Sequence, residues 1–215
     1  MDHAISNLLR IREEINLKKN KNLKVVAVSK TFNLEQILPL VKFGHVDFGE
    51  NKVQEALDKW INIKQEHQDI KLHMIGKLQT NKVKFAVNIF DYIHSVDSIK
   101  LANKIALEQA KLKKDLKLFI QINIGNEDQK SGIAPEEAGK FIHICRDELN
   151  LNVIGLMCIP PNDDKTESYF SKMLQLKNDL NLKELSMGMS NDYKVATNYG
   201  STILRIGSKI FGTRV

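Results

Sequence analysis

The chain has 215 residues, 42% hydrophobic and 27% charged, with a formal net charge of +6. That is enough apolar chain for a sizeable core, which excludes a disordered polymer, yet no run approaches the ~18 apolar residues of a membrane helix. The charged N-terminus MDHAISNLLRIREEINLKKN lacks the form of a signal peptide, and two cysteines, Cys145 and Cys158, offer neither a disulfide framework nor a zinc site. A reducing cytoplasm is the expected setting.

Five of the 32 basic residues are arginine (Arg10, Arg12, Arg146, Arg205 and Arg214), and the other 27 are lysines spread along the whole chain. Specific recognition of bases and phosphates recruits the planar fork of arginine. The charge therefore reads as a solvated lysine surface, and neither a nucleic-acid nor a membrane partner is expected.

In chain order the first element is helical: Ala4, Leu8, Ile11 and Ile15 step by 4, 3 and 4, one apolar stripe on one face. A short apolar run at 25–29 follows, then a short helix carrying Ile37, Leu40 and Val41. A second run at 46–49 precedes the stripe Val53, Ala56, Leu57, Trp60 and Ile61. Runs three and four lie at 72–76 and 92–96, the latter followed by Ile99, Ala102, Ile105 and Ala106. The fifth, 116–124, leads to Ala138, Phe141, Ile142, Cys145 and Leu149; the sixth, 153–159, leads to Tyr169, Met173, Leu176 and Leu180. The seventh, 184–188, runs through Ser190 into a helix start, and 203–207 is the eighth. Several runs are apolar at nearly every position, as strands buried on both faces are.

Eight such runs with helices between them indicate an α/β fold of (β/α)8 TIM-barrel type, a single domain over residues 1–215. The fold usually takes about 250 residues. Too few residues follow the eighth run for a full final helix, and the extra N-terminal helix is expected to cover that gap. The rival is a doubly wound open sheet; the number of strands favours the barrel.

Function in such a barrel gathers where strands end. Lys30, in Ser29-Lys30-Thr31, stands at the end of the first strand, where a partly desolvated amine becomes a nucleophile toward carbonyls; a plain solvated lysine is the alternative. Ser190, as N-cap of the helix after strand seven, and Gly207-Ser208 after strand eight occupy the recurrent phosphate site of the fold. Arg205 lies within strand eight, where a guanidinium needs a partner: a barrel carboxylate such as Glu50 or Asp47, or a ligand acceptor. An amine, a phosphate cradle and an inward arginine together are what pyridoxal phosphate requires. Glu50, Asn51, His73, His94, Gln121 and Asn123 are candidates for the same mouth. For the two histidines a hydrogen-bonded core place is the stronger reading, and Asn51 also reads as a helix cap. Cys145 and Cys158 read as small core residues, no metal site is expected, and no catalytic residue is assigned.

The blocks VVAVSKT, DFGENKVQEAL, HMIGKLQTNK, HSVD, KSGI, GLMCIP, LSMGMSNDY and GSTILRIGSKIFGTR, in this order, resemble the pyridoxal phosphate homeostasis protein family, whose members are similar to the N-terminal barrel of bacterial alanine racemase. They extend from Val25 to Arg214. The resemblance implies that Lys30 is the Schiff-base lysine, that Arg205 faces the pyridine nitrogen, that Ser190, Gly207 and Ser208 hold the phosphate, and that Asn51 sits beside the cofactor. Leu72, Lys77 and Ser208 stand where the family more often has an aromatic, a proline and a threonine; none removes a cofactor group.

The function implied is that of a monomeric binding protein that holds pyridoxal 5'-phosphate, maintains its intracellular level and serves apo-enzymes that depend on it. The alternative is an enzyme acting at the amino-acid α-carbon, such as a racemase. An arginine at the pyridine nitrogen weakens the ring as an electron sink. Racemisation also needs an acid/base group on each face of the substrate, and with the chain closing at Val215 no second domain is expected to supply one. A Schiff-base aldolase on the same barrel is a remoter reading.

Overall fold

The apolar runs do close on themselves. In the computed structural model, which describes residues 2–16, 22–127 and 129–213, eight parallel strands form a closed barrel in sequential order. They are β1 (Lys24–Val28), β2 (Asp47–Glu50), β3 (Lys71–Met74), β4 (Tyr92–Val96), β5 (Lys117–Ile122), β6 (Val153–Cys158), β7 (Glu184–Ser186) and β8 (Ile203–Ile206). The ring is sealed by the pairing of β1 with β8, in which Val26 stands opposite Arg205. Met1, Arg214 and Val215, at the limits of the expected domain and of the family blocks, lie outside the described residues.

The helices are α1 (His3–Glu14), α2 (Leu34–Lys42), α3 (Val53–Glu66), α4 (Val83–Ile89), α5 (Ile99–Leu112), α6 (Ala138–His143), α7 (Thr166–Asp179), α8 (Tyr193–Asn198) and α9 (Ser208–Phe211). As expected, α1 is extra and the final helix is short: α9 has four residues. The buried Asn7 of α1 donates to Ile210 O of α9 at 3.0 Å, so the first helix covers the place a full last helix would fill. Among the described residues no helix is long and apolar enough to cross a membrane.

Three details differ from the sequence reading. The single helix expected from Ala138 to Leu149 is divided: α6 passes into a π-turn, Ile144–Glu148, where the Leu149 N–H reaches Ile144 O at 3.0 Å. The apolar stripe survives because one widened turn keeps Cys145 buried. The helix α4, whose Val83, Ala86 and Val87 are buried, was not anticipated. Finally, the helix after β7 begins at Tyr193 with Asp192, not Ser190, at its N-cap. The chain needs the extra residues for a turn, in which Asp192 Oδ1 accepts from Met189 N–H at 2.6 Å.

Along each strand, side chains alternate between barrel interior and helical layer. Outward residues such as Ala27, Phe48, Leu72, Leu118 and Leu204 join the large core shared with the helices. The inward apolar set is a separate small cluster of Val26, Tyr92, Phe119, Met157 and Ile203. Much of the rest of the interior is polar, with His73, His94, Ser186 and Arg205 all buried. The lumen is narrow: a Cβ added to Gly49 would lie 2.9 Å from Val26 Cγ1.

His45, between α2 and β2, fixes α1 from the other side. Arg12 donates to its Nδ1 at 3.0 Å, so that nitrogen is bare and the buried ring is neutral. Burial, reinforced by the Arg12 charge, lowers the His45 pKa to about 4. The unfolded chain takes up this proton near 6.5 and the folded chain only near 4. Stability is therefore whole above about 6.5 and is lost as pH falls toward 4, by about 3 kcal/mol from this ring. Urea midpoints should hold from pH 7.5 to about 6.5 and fall from there to pH 5, and His45→Gln should reduce that slope, the buried His73 and His94 keeping the remainder; a flat profile for the parent chain contradicts a neutral buried His45.

Candidate functional site

The C-terminal ends of β1, β2, β7 and β8 enclose a cavity of about 560 Å³. All six residues singled out from the sequence line it: Lys30 and Asn51 from the loops after β1 and β2, Ser190 from the loop after β7, and Arg205, Gly207 and Ser208 from β8 and its end. Its size is that of a small-molecule site. The sequence reading missed the far wall, where Ile159, Pro160, Pro161 and Thr166 follow β6. The signal was present, since CIPP closes the sixth run and Pro ends a strand.

Lys30 is held from both sides. Before it, Ser29 is fully buried and donates from Oγ to Glu50 Oε1 at 2.8 Å. After it, Thr31 has φ +69°, a left-handed conformation that a β-branched residue adopts only under constraint. The constraint is visible. The Thr31 N–H donates to Glu55 Oε1 at 2.5 Å, and Lys59 Nζ bonds Glu55 Oε1 (2.6 Å), Ser29 O (2.9 Å) and Glu50 Oε1 (3.2 Å). Trp60 Nε1 adds a third donor to Glu50 Oε1, beside Ser29 and Lys59, at 3.0 Å. Burial pushes the Glu50 pKa up against the opposing Trp60, Lys59 and Ser29. Burial also acts to raise Glu55, but its bonds to Lys59 and Thr31 prevail and hold it below the usual carboxylate range. α3 thus reaches over and fixes the backbone on either side of the lysine.

The opposite wall is built by close backbone approach. Gly188 has φ +94°, and a Cβ there would lie 2.6 Å from Ala196 Cβ, so only glycine lets the β7 loop pack on α8. Gly207 brings β8 against β1: an added Cβ would lie 3.3 Å from Val28 O. Ser190 does not cap α8; its Oγ instead accepts from the Lys209 N–H at 3.5 Å, which brings the β7 loop to the start of α9. The wall therefore joins two loops rather than presenting one helix terminus.

Arg205 is 4% exposed. Its Nη1 donates to Ser186 Oγ at 2.6 Å and its Nη2 to Cys158 O at 2.8 Å. The carboxylate partners considered for it are engaged elsewhere, Glu50 with Lys59 and Asp47 with His73. Burial lowers its pKa, opposed by the Cys158 and Asp192 charges, and the guanidinium stays a donor.

The other mouth candidates do not reach the cavity. Glu50 turns outward beneath α3. Gln121 donates to Ser131 O, and Asn123 both donates to Glu127 O and accepts from Glu127 N–H, so these two shape the loop after β5. His73 and His94 are hydrogen-bonded core residues, as the stronger reading held, and both cysteines are buried. Asn51 does line the cavity; α3 takes Lys52, not Asn51, as its N-cap, and Asn51 Oδ1 is buried with no partner among the described residues. The cavity thus offers an amine, a fixed guanidinium, an orphan amide oxygen and two backbone loops. This set suits a ligand with a carbonyl, a ring acceptor and an anionic tail.

Comparison with known proteins finds relatives along the whole chain. The alanine racemase N-terminal domain family matches residues 1–215. A pyridoxal phosphate homeostasis protein of Pasteurella multocida is 38% identical over 202 residues, 89% of this chain and 87% of its own. The structure of PipY from Synechococcus elongatus without PLP is 31% identical, covers 98% of this chain and 100% of its own, and gives a TM-score of 0.90. The same protein with PLP bound covers 94% and 100% with a TM-score of 0.80. An alanine racemase of Clostridium difficile, 16% identical, shares the fold with a TM-score of 0.79 over 99% of this chain and 57% of its own.

The clamp around Lys30 has a measurable cost of removal. Lys59→Ala strands the Glu50 carboxylate in a buried site and should destabilise the chain by about 3 kcal/mol in urea unfolding. A loss below about 0.5 kcal/mol would show that Lys59 is an ordinary surface ion pair.

Proposed function

The chain belongs to the pyridoxal phosphate homeostasis protein family, and from that premise we propose that residues 1–215 form one barrel domain that binds pyridoxal 5'-phosphate at its mouth and maintains the cofactor's intracellular level. The observation that carries the reading is the convergence of Lys30, Asn51, Ser190, Arg205, Gly207 and Ser208, from four strand ends, on one cavity. PipY, similar along its whole length, has been solved with PLP bound.

The residues present fit the group. Lys30 would supply a primary amine for the aldehyde, Ser190, Gly207 and Ser208 would hold the phosphate, and Arg205 would donate to the ring nitrogen. Asn51, whose Oδ1 lacks a partner among the described residues, would contribute beside the ring. When bound, pyridoxal phosphate supplies an aldehyde that condenses with amines and a ring that takes up electrons from an α-carbon once its nitrogen is protonated. Arg205 works against that last property. Its guanidinium only donates, so it would hold the ring nitrogen as an acceptor.

The same lining supports holding without efficient turnover. Among the described residues, the titratable groups along the cavity apart from Arg205 are Lys30 and Asp192. Asp192 is engaged with the Met189 N–H. Proton transfer on two faces of a substrate needs a second positioned acid/base group, and that is the ground for preferring a carrier over a racemase. In this reading the protein works in the cytoplasm as a monomer and passes its cargo to apo-enzymes that require it.

Borohydride reduction followed by peptide mapping tests the anchor. The trapped pyridoxyl group should lie on Lys30, and Lys30→Ala should abolish it; an adduct on another lysine, such as Lys77 or Lys209, refutes the assignment. Arg205→Glu should let the ring nitrogen protonate and shift the visible absorption band of the bound cofactor. An unchanged band would show that Arg205 serves only Ser186 and Cys158.

A further inference from the structure

Five side chains from five strands are joined end to end across the barrel interior. Asp47 Oδ1 lies 3.1 Å from His73 Nε2, and His73 Nδ1 lies 3.0 Å from His94 Nε2. His94 Nδ1 lies 2.9 Å from Ser186 Oγ, to which Arg205 Nη1 donates at 2.6 Å. His73, His94 and Ser186 are fully buried. Asp47, at the opening strand position of β2 and so at the end of the barrel away from the mouth, keeps 15% of its side chain exposed. Stacking fixes both rings: His73 on Tyr92 with centroids 4.2 Å apart, His94 on Phe119 at 4.4 Å.

The Asp47 end sets the direction of the bonds. An ionised carboxylate only accepts, so His73 carries its proton on Nε2 and donates it to Asp47. A neutral His73 then has a bare Nδ1, which accepts from His94 Nε2–H. A neutral His94 in turn has a bare Nδ1, which accepts the Ser186 hydroxyl hydrogen, while Ser186 Oγ accepts from the guanidinium of Arg205. With neutral rings, the reverse order would set a bare His73 Nε2 against the carboxylate, two acceptors face to face. The electrostatics agree with neutral rings. Burial lowers the His73 pKa despite Asp47, and burial with the His73 and Arg205 charges holds His94 well below the ordinary imidazole range. Burial acts to raise Asp47, but its bond to His73 and the Lys24 charge outweigh it and keep the carboxylate ionised.

Resting on the pyridoxal phosphate reading of the mouth, we propose that Ser186, His94, His73 and Asp47 are positioning residues: a one-way hydrogen-bond chain that holds the Arg205 guanidinium toward the ring nitrogen and ties its charge to a carboxylate at the far end of the barrel. The chain takes one terminal nitrogen of Arg205 and Cys158 O takes the other, so the plane of the guanidinium is set before any ligand arrives. Each neutral link polarises the next in a low-dielectric interior. The strength of Arg205 as a donor in the cavity therefore depends on Asp47, which does not line the cavity.

Two measurements test this. The first is long-range proton–nitrogen correlation NMR on the cofactor-free chain at pH 7.5. Both His73 and His94 should be protonated on Nε2 with bare Nδ1; either ring found as the Nδ1–H tautomer, or doubly protonated, overturns the chain. The second compares the visible spectrum and affinity of pyridoxal phosphate in the parent chain, Ser186→Ala and Asp47→Asn. Ser186→Ala should shift the band and weaken binding about tenfold. Asp47→Asn keeps an acceptor oxygen for His73 and removes only the charge, so it should fold and give a smaller shift of the same sign; it carries the test if Ser186→Ala does not fold. Spectra and affinities equal to the parent's in the folded variants overturn the positioning role while leaving the cofactor reading intact. A parent chain that takes up no pyridoxal phosphate overturns that reading, and this role with it, whatever the tautomers.

Discussion

A guanidinium enclosed by β-strands has to be satisfied by the strands themselves, and the interior of this barrel is organised around that need. Arg205 sits on β8 directly across from Val26 of β1, and the described residues show no ion pair between it and a carboxylate. Its compensation comes from a carbonyl on β6, a hydroxyl on β7 and, through two histidines, a carboxylate on β2. Positions that commonly carry branched aliphatics in such barrels are polar here. The inward apolar cluster is correspondingly small, and the bulk of the buried apolar side chains lies between strands and helices.

This arrangement divides the work of the molecule. The outer core and the helices hold the barrel closed, while the interior fixes one charged group at the mouth. A separate clamp fixes the other reactive group. Lys30 follows a buried serine and precedes a residue in a strained left-handed turn, and α3 binds both flanks through Lys59 and Glu55. Strain of this kind persists only where surroundings over-determine it. The two chemical functions of the proposed site, the amine and the ring partner, thus rest on independent networks, so damage to one leaves the other standing.

Much of this was legible in the chain. The eight runs matched the strands to within a residue or two because a parallel barrel buries both strand faces and leaves long apolar stretches. The candidate cavity was legible because the fold places chemistry at strand ends, where a lysine after β1, an arginine within β8 and glycines after β7 and β8 stand in the chain. What escaped notice depends on contacts distant in sequence. His94 meets Ser186 across the barrel, 92 positions away, and no local periodicity reports that. The outward turn of Glu50 is decided by parity along β2 and by Trp60 and Lys59 of α3. Ser190 looked like a cap because serine before a helix often is one; the added turn closed by Asp192 depends on the close packing of Gly188 against α8. The π-turn after α6 keeps the residue spacing of an α-helix stripe, so periodicity alone does not separate the two.

The central claim is that the mouth between β7, β8 and β1 holds pyridoxal phosphate through Lys30. A crystal structure of the protein after soaking with the cofactor tests it most directly. The account predicts density continuous with Lys30 Nζ, the phosphate between the Ser190 and Ser208 loops, and the ring nitrogen against Arg205. Cofactor density at another lysine, or a phosphate lying away from those two loops, would contradict it.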